Sequence, residues 1–168
     1  MALKMMLAGA AAMMLRQLPL AAPVEQAPLV ARGMDDLPLE PSPIEPSWII
    51  SGEPFARVGL HSRAGDDAAT TAMWDCTAGE FRWYFDWDET VVILEGEVHV
   101  TAQDGSQRTL RQGDIAYFAG KTWATWRIDN YVRKIAFCRK RFPAPIALAY
   151  QLRNLLRGDK GSSGGLAA

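Results

Sequence analysis

Cysteine and histidine are scarce, two of each in 168 residues. Two cysteines, Cys76 and Cys138, are too few for a disulfide scaffold and suit a reducing compartment equally well. The histidines, His61 and His99, read as ordinary surface or loop residues. His99 alternates with Val98 and Val100, so it points outward if the valines face a core. Neither sign of charge is in excess, with 18 lysines and arginines against 19 acidic residues, so nothing draws the chain globally to nucleic acid, and no nucleic-acid partner is expected. No apolar run reaches the roughly 20 residues that span a bilayer, which excludes a transmembrane helix. The nearest approach is 5–15, which follows Lys4 and has the charge and length of a secretory signal. Arg16 ends it, however, Pro19 or Leu20 stands where cleavage wants a small side chain, and Pro23 follows the Ala21-Ala22 pair. A short helix over 1–18, docked on the rest of the molecule or on a partner, is the expectation, together with a cytoplasmic location.

What is abundant is apolar residues, 49% of the chain, enough for one real core in a single domain. Seven of the ten prolines fall within 19–46, where they forbid helix and central strand. Leu29, Val30, Leu37, Leu39, Ile44 and nearby Trp48 make this an extended arm that packs on a surface. From 47 to 142 the pattern changes to short β-prone runs parted by glycine and aspartate turns, as in an antiparallel sandwich or barrel. The runs are 70–76, 81–87, 90–94, 97–101, 107–110, 115–118, 122–128 and 133–138. Asp104-Gly105 supplies the positive backbone angle of a tight hairpin. Beyond Pro143 and Pro145, Leu148, Leu152, Leu155 and Leu156 recur at helical spacing, predicting an amphipathic helix over 143–157. The glycine- and serine-rich end, 158–168, reads as a disordered tail.

The segment WDCTAGEFRWYFDWDETVVILEGEVHVTAQDG, followed by LRQGDIAYFAG, TWATWRI and VRKIAFC, resembles the cupin superfamily. The resemblance runs from Trp74 to Cys138 and is nearest the branch of ureidoglycine aminohydrolase and ethanolamine-utilisation cupin domains. It carries Glu89 seven positions before Gly96, the hairpin, and the Gly113-Asp114 turn in the family's order. It implies an all-β double-stranded β-helix, the cupin jelly-roll barrel. Metal-binding members place two histidines one residue apart before a glutamate, and a third in the second motif. Here Glu89 is retained, while the histidine places fall on Trp83 and Phe85 and near Ala124. Three of four ligands are missing, so neither metal nor other cofactor is expected.

The alternation agrees with that departure. Phe81, Trp83, Phe85 and Trp87 share one face of a strand, with Arg82, Tyr84, Asp86 and Asp88 on the other. Rings are poor ligands for a divalent cation and good filling for a barrel. Glu89 has the same parity and needs a partner if it is buried. Lys134, which resembles the basic residue of the branch's last strand and has the parity of Val132, Ala136 and Cys138, is the candidate. Glu89 and Lys134 are thus the candidate catalytic pair. Trp83, Phe85, Tyr117, Trp123 and Trp126 are the candidate ligand-binding wall. In a jelly roll, Cys76 and Cys138 end neighbouring strands, so a redox pair stands beside the reading of two reduced thiols. Arg133, Lys134, Arg139, Lys140, Arg141, Arg153 and Arg157 read as a solvated basic face, with weak contact to an anionic membrane surface as the alternative. Three functions remain open: a metal-free small-ligand or accessory module, an enzyme on a small polar or nitrogenous substrate using Glu89, and an oligomerisation protein, a homodimer being the expected assembly.

Overall fold

A computed structural model describes residues 27–141. The apolar run over 1–18, the start of the arm, the helix expected over 143–157 and the tail lie outside the described residues, as do Arg153 and Arg157 of the basic cluster. Eight antiparallel strands make one sheet: β1 (Glu40–Pro41), β2 (Ile49–Ser51), β3 (Ala56–Arg63), β4 (Ala69–Phe85), β5 (Asp88–Ala102), β6 (Gln107–Arg111), β7 (Ile115–Phe118) and β8 (Thr122–Arg139). Their order is β1-β3-β4-β8-β5-β6, with β2 added to β4 and β7 to β5. The sheet surrounds a single cluster of buried apolar side chains, so the all-β barrel expectation holds. No helix among the described residues is long and apolar enough to cross a membrane.

The strands are longer than their sequence runs. The runs at 70–76 and 81–87 are one strand, β4, and those at 90–94 and 97–101 are one strand, β5. The runs at 122–128 and 133–138 merge likewise into β8. The glycines between them mark bulges and not turns: the ladder slips at Thr77/Gly79 on β4 and between Gly96 and His99 on β5, but pairing with β8 continues on either side. The run at 81–87 ends early, at Phe85, where the chain turns and Asp86 pairs with Lys121. The Asp104-Gly105 hairpin forms as read, with Ala102 and Ser106 closing it and Asp104 Oδ1 accepting from Ser106 N at 2.9 Å.

Part of the proline-rich arm belongs to this sheet. β1 pairs with β3, and Leu37 and Ile44 are buried, whereas Leu29 and Val30 are exposed. Leu37 and Pro38 lie so near β3 that a Cβ at Gly59 would stand 2.6 Å from the Pro38 carbonyl oxygen.

β8 is the central strand and fixes the interior by parity. Ala124, Trp126, Ile128, Val132, Lys134 and Ala136 are buried on it. Lys134 therefore leaves the expected basic face. Arg139 and Arg141 are exposed, Arg141 reaching Asp88 at 2.8 Å, and Lys140 lies over the Trp87 ring at 4.7 Å. Among the described residues of this cluster, Lys134 is thus buried, and Lys140 and Arg141 are engaged by Trp87 and Asp88.

Candidate functional site

Antiparallel register sets two faces of the interior. On β4, Phe81 lies opposite Trp126, Trp83 opposite Ala124 and Phe85 opposite Thr122. Phe81 and Phe85 are fully buried, and Trp83 is packed against the core from its rim. The large Trp83 facing the small Ala124 is a volume match that puts an indole where the family's cage would gather nitrogen donors. Phe85 stacks on Phe118 with ring centroids 4.4 Å apart and an interplanar angle of 4°.

Glu89 is the second residue of β5 and Lys134 lies deep in β8, and their side chains meet inside the barrel. Lys134 Nζ donates to Glu89 Oε1 at 2.5 Å, with the side chains 6% and 12% exposed. The ammonium also lies 4.6 Å from the Trp126 ring centroid and 5.1 Å from that of Trp74, inside cation–π range of both. Trp74 sits opposite Lys134 on β4, and the two indoles meet edge-to-face at 6.0 Å. Both indole Nε1 atoms are buried without a hydrogen-bond partner.

The positions that the cupin resemblance assigns to a metal are Trp83, Phe85, Glu89 and one near Ala124. Only Glu89 carries a donor, and its carboxylate is already neutralised by an ammonium of the same chain. This residue set does not fit a divalent cation, which needs several oxygen, nitrogen or sulfur ligands.

Of the expected wall, Trp126 meets Lys134, while Trp83 and Phe85 reach the core through other rings, Trp83 lying 6.0 Å from Trp74 and Phe85 stacking on Phe118. Tyr117 and Trp123 do not reach it. Tyr117 is 62% exposed, because Phe118 takes the inward parity of β7. Trp123 neighbours the inward Ala124 and so faces the other way, with its ring 5.0 Å from Tyr84, 5.3 Å from Trp48 and 4.5 Å beneath the Arg82 guanidinium. Trp74 replaces them in the site. Trp74 is not among the candidate residues drawn from the sequence, because its approach to Lys134 depends on a long-range register that no local pattern carries.

The cysteines are free and cannot pair. β4 and β8 are neighbours, but Cys76 lies opposite Val132 and Cys138 opposite Thr70, six positions or about 20 Å along the strand. Burial, aided by Asp75, pushes the Cys76 thiol up to about 12; burial, aided by Glu89, pushes Cys138 up to about 11. Both stay protonated at neutral pH, which removes thiolate chemistry.

Two polar networks lie outside the core. Asp75, 1% exposed, is gripped by Arg57 at 3.0 and 2.5 Å and accepts from Tyr131 at 2.8 Å, a fastening between β3, β4 and β8. His99 points outward, as its valine neighbours required. Its Nδ1 contacts Thr109 Oγ1 at 2.8 Å and its Nε2 contacts Asp129 at 3.1 Å. With Glu97 this makes three ligand-type atoms within 4.8 Å, but Arg111 holds Glu97 at 3.1 Å and Arg127 holds Asp129 at 3.0 Å. The cluster is an ion-pair network already balanced in charge.

Comparisons with known proteins agree with the barrel. Residues 63–136 match the family model of the EutQ-like cupin domain. A DUF861-family protein of unknown function from Pseudomonas syringae is 28% identical with a TM-score of 0.55, covering 60% of this chain and 43% of that one, so the chain spans less than half of that relative. A DUF861-family protein from Thermotoga maritima is 38% identical over 38% of this chain and 73% of its own, with a TM-score of 0.37. The EutQ protein of Clostridium difficile is 13% identical, covering 59% of this chain and 81% of its own, with a TM-score of 0.48. No curated protein matches the chain.

Proposed function

Because the chain belongs to the cupin superfamily and carries a cupin domain whose cage residues do not fit a metal, we propose that it is a metal-free module binding a small molecule at the Glu89–Lys134 pair. The observation that carries this reading is a buried ion pair whose ammonium lies over the faces of two buried indoles, both of whose Nε1 atoms lack an acceptor. A barrel kept only for packing gains nothing from that arrangement. Each buried donor without a partner costs about 1–3 kcal/mol, and replacing a buried ion pair by apolar groups of similar size is often neutral or stabilising. A bound molecule or ordered water that satisfies those donors accounts for them. Glu89 is the more exposed partner, and its register neighbours Phe118 and Cys138 are only partly buried, so the approach is from the β7 end.

Thermal denaturation of the purified chain against a panel of small metabolites tests this. A ligand at one hundred times its Kd adds about 2.7 kcal/mol of stability, several degrees in Tm for a domain of this size. We expect at least one such compound, with its effect lost in Glu89→Gln, and no Tm response to Mn²⁺, Zn²⁺ or Ni²⁺ after chelation. A stoichiometric metal ion retained through chelator-free purification would defeat the reading.

The alternative is an enzyme acting on a small polar or nitrogenous substrate, as in the aminohydrolase branch, with Glu89 as acid/base and Lys134 as its electrostatic partner. The partial exposure of Glu89 favours it, and turnover of a stabilising compound, abolished in Glu89→Gln, distinguishes it from simple binding.

A homodimer and a cytoplasmic location belong to the same proposal. Ile115 and Tyr117 on β7 and Phe137 on β8 are exposed on the outer face of the sheet, where Val92 lies between Ile115 and Ile135 and Thr90 between Tyr117 and Phe137. Such a largely apolar surface suits a second copy of the chain. Sedimentation should give a dimer for the natural chain and a monomer for Ile115→Asp; a monomer for both removes self-association. The two free, separated thiols accord with a reducing compartment.

A further inference from the structure

We propose that the outer face of β4, β8, β5 and β6 binds a neutral polyhydroxylated molecule, a saccharide of more than one ring, at a site separate from the Glu89–Lys134 pair.

A cleft of about 390 Å³ lies on this face, lined by Glu80, Arg127, His99, Thr109, Thr101 and Gln107. Register explains how four strands build it. Glu80 stands opposite Arg127, Arg127 opposite His99, and His99 opposite Thr109, so one row of side chains crosses all four strands. Thr101 and Gln107 stand opposite each other in the next row on the same side. Phe81, Trp126, Val98, Val100 and Leu110 are the buried neighbours whose inward parity turns this row outward. The volume admits a small molecule, but these six side chains are all polar, which excludes the apolar ligands that most clefts take.

The polar groups are of both kinds. The Glu80 carboxylate accepts, the Arg127 guanidinium donates, and the Thr101 hydroxyl and Gln107 amide do both. Glu80, Thr101 and Gln107 have no side-chain partner among the described residues. Arg127 gives Nη1 to Asp129 at 3.0 Å, which leaves the rest of its guanidinium, while His99 is held in place by Thr109 at 2.8 Å and Asp129 at 3.1 Å.

Extent and charge decide the class of ligand. Adjacent strands are about 4.8 Å apart, so the row from Glu80 to Thr109 runs about 14 Å along the sheet. A single oxyanion would cover one point of that row, and at Arg127 it would stand between Asp129 and Glu80, two like charges. A lone cation would find Glu80 but also the guanidiniums of Arg127 and of Arg108, which lines the cleft from β6. An α-amino acid could engage Glu80 and Arg127 together, yet it would leave the end formed by Thr101, Gln107 and Thr109 empty. Hydroxyl groups each donate and accept, and a saccharide carries them along its whole length, so it meets both kinds of group without adding charge.

The chain has two histidines, and His99 stands within the row, so its imidazole signals are the reporter, assigned by their persistence in His61→Gln. Full-length protein is titrated separately with maltose, cellobiose, lactose, glucose, glycine and phosphate at constant pH and ionic strength. We expect a saturable His99 shift with at least one disaccharide, at an apparent Kd severalfold below that for glucose. Gln107→Ala and Thr101→Val should each weaken it roughly two- to tenfold, the equivalent of one hydrogen bond, with amide dispersion as the folding check. Glu89→Gln should leave it unchanged, which separates this site from the interior one. Saturation by phosphate or glycine alone overturns the saccharide assignment, and so does a His99 signal unmoved by all six probes. A disaccharide shift that survives both cleft variants, or that Glu89→Gln abolishes, puts the ligand elsewhere and overturns the site itself.

Discussion

Replacing Lys134 by methionine is expected to destabilise the domain by about 3–5 kcal/mol, because it strands the Glu89 carboxylate in the barrel without its counter-ion. The lost cation–π contacts with Trp74 and Trp126 act in the same direction. For a domain of this size the fall in Tm is on the order of 10 °C or more. Removing both partners, in Glu89→Met with Lys134→Met, should recover most of the loss, since an apolar pair of similar volume needs neither counter-ion nor desolvated charge. Chemical denaturation of the two single variants and the double variant closes the cycle, and the coupling should exceed about 1 kcal/mol. The natural pair would then be one that the fold does not require, which is how a pair kept for binding behaves. If each single variant costs well under 1 kcal/mol, the pair is solvated and the interior site has no basis. If the double variant is as unstable as the singles, the pair is a structural fastening.

How far this site could be read beforehand depends on the range of the signal. The alternation of Phe81, Trp83 and Phe85 on β4 and of Val132, Lys134 and Ala136 on β8 is local, and both inward faces follow from a period of two. The meeting of Glu89 with Lys134 was legible because parity put both side chains inside one barrel, where the charges had to find each other. Tyr117 and Trp123 were misplaced because aromatic character was followed there in place of parity: Phe118 and Ala124, their immediate neighbours, hold the inward positions. Trp74 and the separation of the cysteines belong to register. A slip of six residues between β4 and β8 decides whether Cys138 meets Cys76 or Thr70, and neither strand encodes that alone. The same holds for Arg57, Asp75 and Tyr131, which come together from three strands.

Gly96 is where the long-range register becomes a local demand, and Gly96→Ala should be among the most damaging single substitutions in the chain. Its φ of +72° is left-handed, and a Cβ there would stand 2.0 Å from the Tyr131 carbonyl oxygen and 2.9 Å from its carbon. Those are backbone atoms of β8, which cannot rotate away as a side chain would, so β5 and β8 must part at the bulge. Gly105, with φ +86° and nothing within 4 Å of its would-be Cβ, provides the control. Gly105→Ala meets only the backbone penalty, about 1–2 kcal/mol. Gly96→Ala adds the clash and is expected to exceed about 4 kcal/mol, the range reserved for a few severe mechanisms. Gly96 pairs with Val132, two residues before Lys134. Parting the strands there would also turn the ammonium away from Glu89, so any folded Gly96→Ala protein should lose the coupling between Glu89 and Lys134 along with its stability. Equal losses for the two alanine variants, measured by urea denaturation, would mean that the close approach of β5 to β8 is not what holds the lysine in place.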